Sequence, residues 1–209
     1  MKKTILVITG MVLAVSAMAQ GTIEFDNDVA NFFRSPIYDV NPANPTVSQT
    51  GQSSIGFPVG TTAYGGALLQ GSNYVMALYA GPAGVTDPTL LSFVTNTIFR
   101  TATGNVLPAG LIVRIFDLPI QGVPPGSIAT LELRVWDKRT GSTFDLASTT
   151  GRSGLFQSQP LGGNGPAGPI LPPDMTGWSS FSLSIIPEPS SLAMGGLGTV
   201  ALVIFRRRK

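Results

Sequence analysis

From residue 20 to residue 186 no stretch of this chain keeps an apolar period of 3.6 long enough to make an amphipathic helix. Apolar residues alternate with polar ones in short runs, and Gly, Pro, Asn and Asp cut each run. That pattern restricts the chain to an all-β fold. Thr22 to Asp26 places Ile23 and Phe25 on one face, with Thr22, Glu24 and Asp26 on the other. Near the end, Phe181, Leu183 and Ile185 read as inward, and Ser180, Ser182 and Ser184 as outward. Residues 73–82 are apolar on both faces, as a central strand would be, and 90–99 and 111–118 supply two more strands. Residues 128–148 read as a hairpin with Leu131, Leu133 and Val135 inward, a turn over 137–141 and a return strand through Phe144 and Leu146. With 35–40 and 63–70 added, eight or nine strands are expected, and an antiparallel β-sandwich is the simplest way to bury them. Two long loops, 41–54 and 160–174, interrupt the pattern; the second is so rich in Gly and Pro that no regular structure is expected in it.

The chain of 209 residues is 43% apolar, which suits one compact domain. It contains no cysteine, so no disulfide framework can support the fold, and no histidine. Ser-His-Asp triads, Cys nucleophiles and His-ligated zinc are thereby excluded, and no cofactor is expected. The net charge of +2 hides an uneven distribution. Lys2, Lys3, Arg206, Arg207, Arg208 and Lys209 are terminal, and residues 20–186 hold seven Lys and Arg against ten Asp and Glu, a balance of −3. A mildly acidic body without clustered cations does not suit nucleic acid.

Both ends read as appendages. At the start, Lys2 and Lys3 precede an apolar stretch over 5–15 and the small-x-small site Ala17-Met18-Ala19. This is the pattern of a signal peptide, 1–19, removed by signal peptidase to leave Gln20 as the first residue. At the other end, 192–205 forms an apolar run of 14 residues, about 21 Å if helical. A bilayer core is about 30 Å thick, and Gly195, Gly196 and Gly198 weaken the helix further. The run suits a temporary tether better than a lasting span. Arg206, Arg207, Arg208 and Lys209 favour the cytoplasmic side, which leaves the body outside.

Pro187-Glu188-Pro189, the short glycine-containing apolar helix and the Arg-rich terminus together resemble the PEP-CTERM sorting signal of Gram-negative bacteria, over 187–209. The resemblance implies a precursor held transiently in the inner membrane, cut near the Pro-Glu-Pro motif by an exosortase-like protease, and passed to the cell surface or extracellular matrix. The two prolines keep the segment extended, as a protease groove requires. Within the body, residues 33–40, 74–82, 141–147, the following Gly-rich loop and 181–183 resemble a group of exported PEP-CTERM proteins of unknown function, which brings no catalytic residues with it.

Three constellations could carry chemistry. The alternation that buries Leu131, Leu133 and Val135 turns Glu132, Arg134 and Trp136 to the other face, where an exposed indole beside charged groups would make a carbohydrate platform; Trp178 could extend it if coplanar. Cover of Trp136 by a loop, with Arg134 over its ring, is the plainer alternative. Glu24, Asp26 and Asp28, with Asn27 between them, are oxygen donors that suit calcium, although their spacing is not that of a known loop and a strand end running into an Asx turn explains them equally. A glycosidase-type carboxylate pair could draw only on Glu24 and Glu132 among glutamates of the body, and both read as solvated. The expected function is therefore non-enzymatic: an exported surface or matrix protein, structural or adhesive in exopolysaccharide. The alternatives are a carbohydrate-binding module and a permanently anchored surface protein.

Overall fold

The computed structural model describes residues 20–102 and 109–187. They carry strands β1 (Gly21–Phe25), β2 (Asp28–Val29), β3 (Phe33–Arg34), β4 (Tyr74–Pro82), β5 (Ser92–Ile98), β6 (Ile115–Ile120), β7 (Ala129–Asp137), β8 (Thr149–Gln157), β9 (Gly163–Gly165), β10 (Gly168–Ile170) and β11 (Ser184–Ile185). A 3-10 turn, Pro88–Leu90, is capped by the Asp87 side chain, which accepts the Thr89 N–H. Residues 1–19, expected to be a signal peptide, and the apolar run 192–205 lie outside the described residues.

Five strands form one antiparallel sheet in the order β11-β8-β7-β4-β5. Its centre is β7, and beside it β4, the segment that is apolar on both faces, pairs with β7 over its whole length from Tyr74↔Asp137 to Pro82↔Ala129. Alternation sends Met76, Leu78 and Ala80 of β4, with Leu131, Leu133 and Val135 of β7, into the main core. Val75, Ala77 and Trp136 turn to the other face, where Phe144 and Ala147 cover them in a second, smaller cluster. Opposite Leu133, the β7–β8 register slips between Glu132 and Arg134. The Ser153 hydroxyl there accepts the Leu133 N–H at 2.9 Å, and Gly154 adopts φ 73, the left-handed conformation that a glycine bulge requires.

The layer over the main core is small. The two-stranded antiparallel pair of β1 and β6 contributes Ile23, Phe25, Leu118 and Ile120. Much of the remaining cover comes from segments that are not strands, through Ile37, Leu69, Leu161, Met175, Trp178, Phe181 and Leu183. Short ladders, β2 with β3 and β9 with β10, complete the sheets.

Several local expectations change. The 35–40 and 63–70 segments join by single bridges, Tyr38 to Leu68 and Tyr38 to Ser182, rather than as strands. The Gly-rich 160–174 loop contains the β9–β10 hairpin, with Gly163 and Gly168 at φ 111 and 120; glycine permits backbone conformations there that let so irregular a sequence pair. The return strand of the long hairpin starts at Thr149, later than expected, because 143–147 closes a turn in which the Leu146 and Ala147 N–H groups donate to Thr143 O. Phe144 becomes cover for the sheet and Leu146 is exposed. Ser180 and Ser182 are fully buried, tied into the 48–52 loop by bonds such as Gln49 N to Ser182 Oγ at 3.0 Å, while Ile185 is half exposed.

Candidate functional surfaces and the C-terminal exit

The outer face of β7 is not an open platform. Glu132, Arg134 and Trp136 do point away from the main core, but the accessible fraction of each is small, 2%, 8% and 7%. The Arg134 Nε donates to Glu132 Oε2 at 2.6 Å, Nη2 donates to the Pro88 carbonyl at 2.8 Å, and the guanidinium lies 3.8 Å over the Tyr79 ring. Arg152, across the ladder on β8, comes within 3.6 Å of the second Glu132 oxygen and stands 4.7 Å over the Phe144 ring. The indole of Trp136 meets Phe144 edge-on at 6.5 Å. The glycan platform is thus corrected: the turn through 143–147 closes over the charged side of the strand.

Trp178 is buried too, on the opposite side of the sheet. Its ring stands 5.7 Å from Phe33, 6.2 Å from Phe156 and 6.3 Å from Phe181, and its Nε1 donates to Met175 O at 3.3 Å. The two tryptophans share no surface.

The acidic corner after β1 also departs from expectation. Its cation is an arginine: Arg114 Nε sits 3.2 Å from Glu24, Nη1 3.7 Å from Asp26 and Nη2 3.1 Å from Asp174. Arg100 adds a longer contact of 3.9 Å to Asp26, and Asp28 pairs with Arg34 at 2.7 Å. Burial pushes the Asp26 carboxyl above its ordinary 3.8, against the opposing pull of the Asn27 and Asp28 N–H groups and of Arg100 and Arg114. The carboxylates are spent on guanidinium groups and backbone donors, and among the described residues no group of three or more carboxylates could hold a metal ion. The calcium candidate at Glu24, Asp26 and Asp28 is corrected on that geometry, as is the solvated reading of Glu24 and Glu132, both buried. Arg114 escaped the sequence reading because 90 positions separate it from Glu24 and no local pattern links them.

Two clefts are formed among the described residues. One runs between Ser92–Thr95 at the free edge of β5 and Leu118, Pro119 and Gln121 at β6. The other is lined by Phe32, Gln159, Asp174 and Thr176.

The chain leaves the body beside the edge of the large sheet. Short β11 pairs with β8 through Ser184↔Thr150 and Ile185↔Thr149. Ile185 N donates to Pro45 O and Ile186 N to Ser148 O, each at 2.7 Å. Pro187, next in the chain, is exposed. Glu188, Pro189, Arg206, Arg207, Arg208 and Lys209, like Ala17 and Ala19 of the leader site, lie outside the described residues. No helix among those described is long and apolar enough to cross a membrane.

Residues 186–209 match the family model of the PEP-CTERM protein-sorting motif. The motif implies an exported protein with a membrane-associated precursor that is processed by an exosortase at the membrane. Comparison with curated proteins and with solved structures gives no match.

Proposed function

We propose that this chain is a non-enzymatic surface or extracellular-matrix protein whose β-sandwich body, 20–186, serves a structural or adhesive role in exopolysaccharide after its sorting tail is removed. One observation carries the reading. Backbone pairing continues to Ile186 N, and the Pro-Glu-Pro motif begins at the next residue. A cut within or just after Pro187-Glu188-Pro189 therefore removes nothing that the described fold uses, and the released body keeps every ladder. In this reading the leader 1–19 has been removed before Gln20, and the apolar run 192–205 tethers the precursor until the cut.

The absence of His and Cys, and the commitment of Glu24, Asp26 and Glu132 to arginines, support a role without acid–base chemistry. Because Trp136 is covered, adhesion is assigned to the body's surface at large rather than to that residue.

Intact-mass measurement of protein recovered from its own host tests the processing step. The expected species begins at Gln20, lacks everything from about residue 190 onward, and separates from the inner membrane. A membrane-fixed species that retains Arg206, Arg207, Arg208 and Lys209 would establish the permanently anchored alternative instead. Co-sedimentation of the released body with the host's exopolysaccharide tests the adhesive role, and a body that stays in the supernatant removes it.

A further inference from the structure

Exposed apolar side chains stand on the exit segment of the chain and on the two loops bonded to it. Ile185 and Ile186 are 40% and 51% accessible, and the two loops that bond to them carry Val47 and Leu146, at 48% and 70%. Backbone bonds link the loops to the exit: Pro45 O, two residues before Val47, accepts from Ile185, and Ser148 O, two residues after Leu146, accepts from Ile186. Among the described residues no element covers this rim, and Asn44 O, which accepts from Val47 N at 3.3 Å, holds its loop in a closed turn.

The length of chain beyond it says what does. Residues 187–191 alone separate Ile186 from the apolar run that opens at Leu192. Fully extended, those five residues span at most about 18 Å. The headgroup layer on one side of a bilayer takes up about 5–8 Å of that distance. A link this short limits how far the exit face can stand from the lipid. An apolar rim held this close to a membrane has one natural partner.

We propose that the exit face, centred on Val47, Leu146, Ile185 and Ile186, is a lipid-contact surface that rests in the headgroup layer while the tail is uncut, and so presents the Pro-Glu-Pro segment at the depth where a membrane protease works. This rests on the reading of the tail as a membrane tether. Cleavage removes the anchor, and the four side chains alone are too few to hold the body there, so contact and release belong to one step.

The chain has no cysteine, so single introduced thiols label it uniquely. Val47→Cys and Leu146→Cys report the rim. Leu171→Cys is the control: it follows β10, whose Ile170 lies against Gly126, near the far end of β7, about 27 Å along that strand from its exit end. The chain from Gln20 to Lys209 is reconstituted into phosphatidylethanolamine–phosphatidylglycerol vesicles and each thiol carries a fluorophore. Labels at 47 and 146 are expected to be quenched by nitroxide lipids and shielded several-fold from aqueous iodide, relative to 171. Equal iodide access at all three positions, on protein that floats with the vesicles, overturns the lipid contact and leaves the tether intact. Protein that does not float removes the tether and the contact together. Shielding that grows with the protein-to-lipid ratio without nitroxide quenching assigns the face to a second copy of the chain and overturns the proposal.

Discussion

The side-chain oxygen of Asn27 accepts the backbone N–H of Ile112 at 2.9 Å, joining positions 85 residues apart. Its amide nitrogen donates in turn to Ser35 O and Gly110 O, at 3.0 and 2.9 Å, and the whole residue is buried. One side chain thus binds the corner after β1, the strand entry at 35 and the 110–112 segment, at a place where no ladder could reach all three.

Asn27→Ala should therefore be among the most damaging single changes in the body. Three bonds are lost; the Ile112 N–H and Ser35 O are left unpaired at about 1–3 kcal/mol each, while Gly110 O keeps the Ile37 N–H, so a loss of about 2 kcal/mol or more is expected. Urea unfolding measures it; a loss below about 1 kcal/mol would show that water replaces the side chain at little cost.

The Glu132–Arg134 pair predicts a non-additive cycle. Arg134→Met leaves the Glu132 carboxylate buried with only the longer Arg152 contact, and should cost about 3–5 kcal/mol. Replacing both, Glu132→Leu with Arg134→Met, should recover most of that loss, since an apolar pair of similar volume suits the cluster around Tyr79 and Phe144. Additive losses would mean that the pair does not act as a unit.

The two tryptophans should respond differently to loss of the indole nitrogen. Trp136 Nε1 is buried with no hydrogen-bond partner among the described residues, whereas Trp178 Nε1 bonds Met175 O. Trp178→Phe leaves that carbonyl unpaired, and should destabilise more than Trp136→Phe by about 1 kcal/mol. Paired thermal melts decide, and a larger loss at Trp136 would contradict the assignment.

Asp26 sets a pH dependence with a definite sign. Its folded carboxyl titrates above the ordinary 3.8 because burial outweighs the donors around it. Between 3.8 and that raised value the folded state binds more protons than the unfolded one, so this residue's contribution is full below the unfolded value and is lost as pH rises. Asp26→Asn, which can still accept from the Asn27 and Asp28 N–H groups, should flatten that decline. Unfolding free energies followed across the interval in both proteins test it; identical slopes would remove Asp26 as the cause.

Alternation located the long strands well. The two-faced apolar pattern of 73–82 became an interior strand of the sheet, flanked by β7 and β5, and the inward reading of Leu131, Leu133 and Val135 holds. It served poorly where one or two hydrogen bonds decide the conformation: the single bridges of Tyr38, the glycine hairpin at 163–170, and the turn that carries Phe144 onto the sheet. Such choices depend on partners far along the chain, which a local period does not contain. The acidic corner failed for the same reason. Four neighbouring oxygen donors resemble a cation loop when read in a line, and only folding brings Arg114 and Arg100 among them.

The sequence by itself determined the β class, the absence of imidazole and thiol chemistry, and the sorting signal, because period-2 alternation, composition and a contiguous tail are all properties of a line of residues. Tertiary structure alone decided which polar faces meet water. Alternation says that Val135 and Trp136 point to opposite sides of one strand; whether either side stays wet depends on what folds over it, and here Phe144, Ala147 and two arginines fold over the side that composition left open.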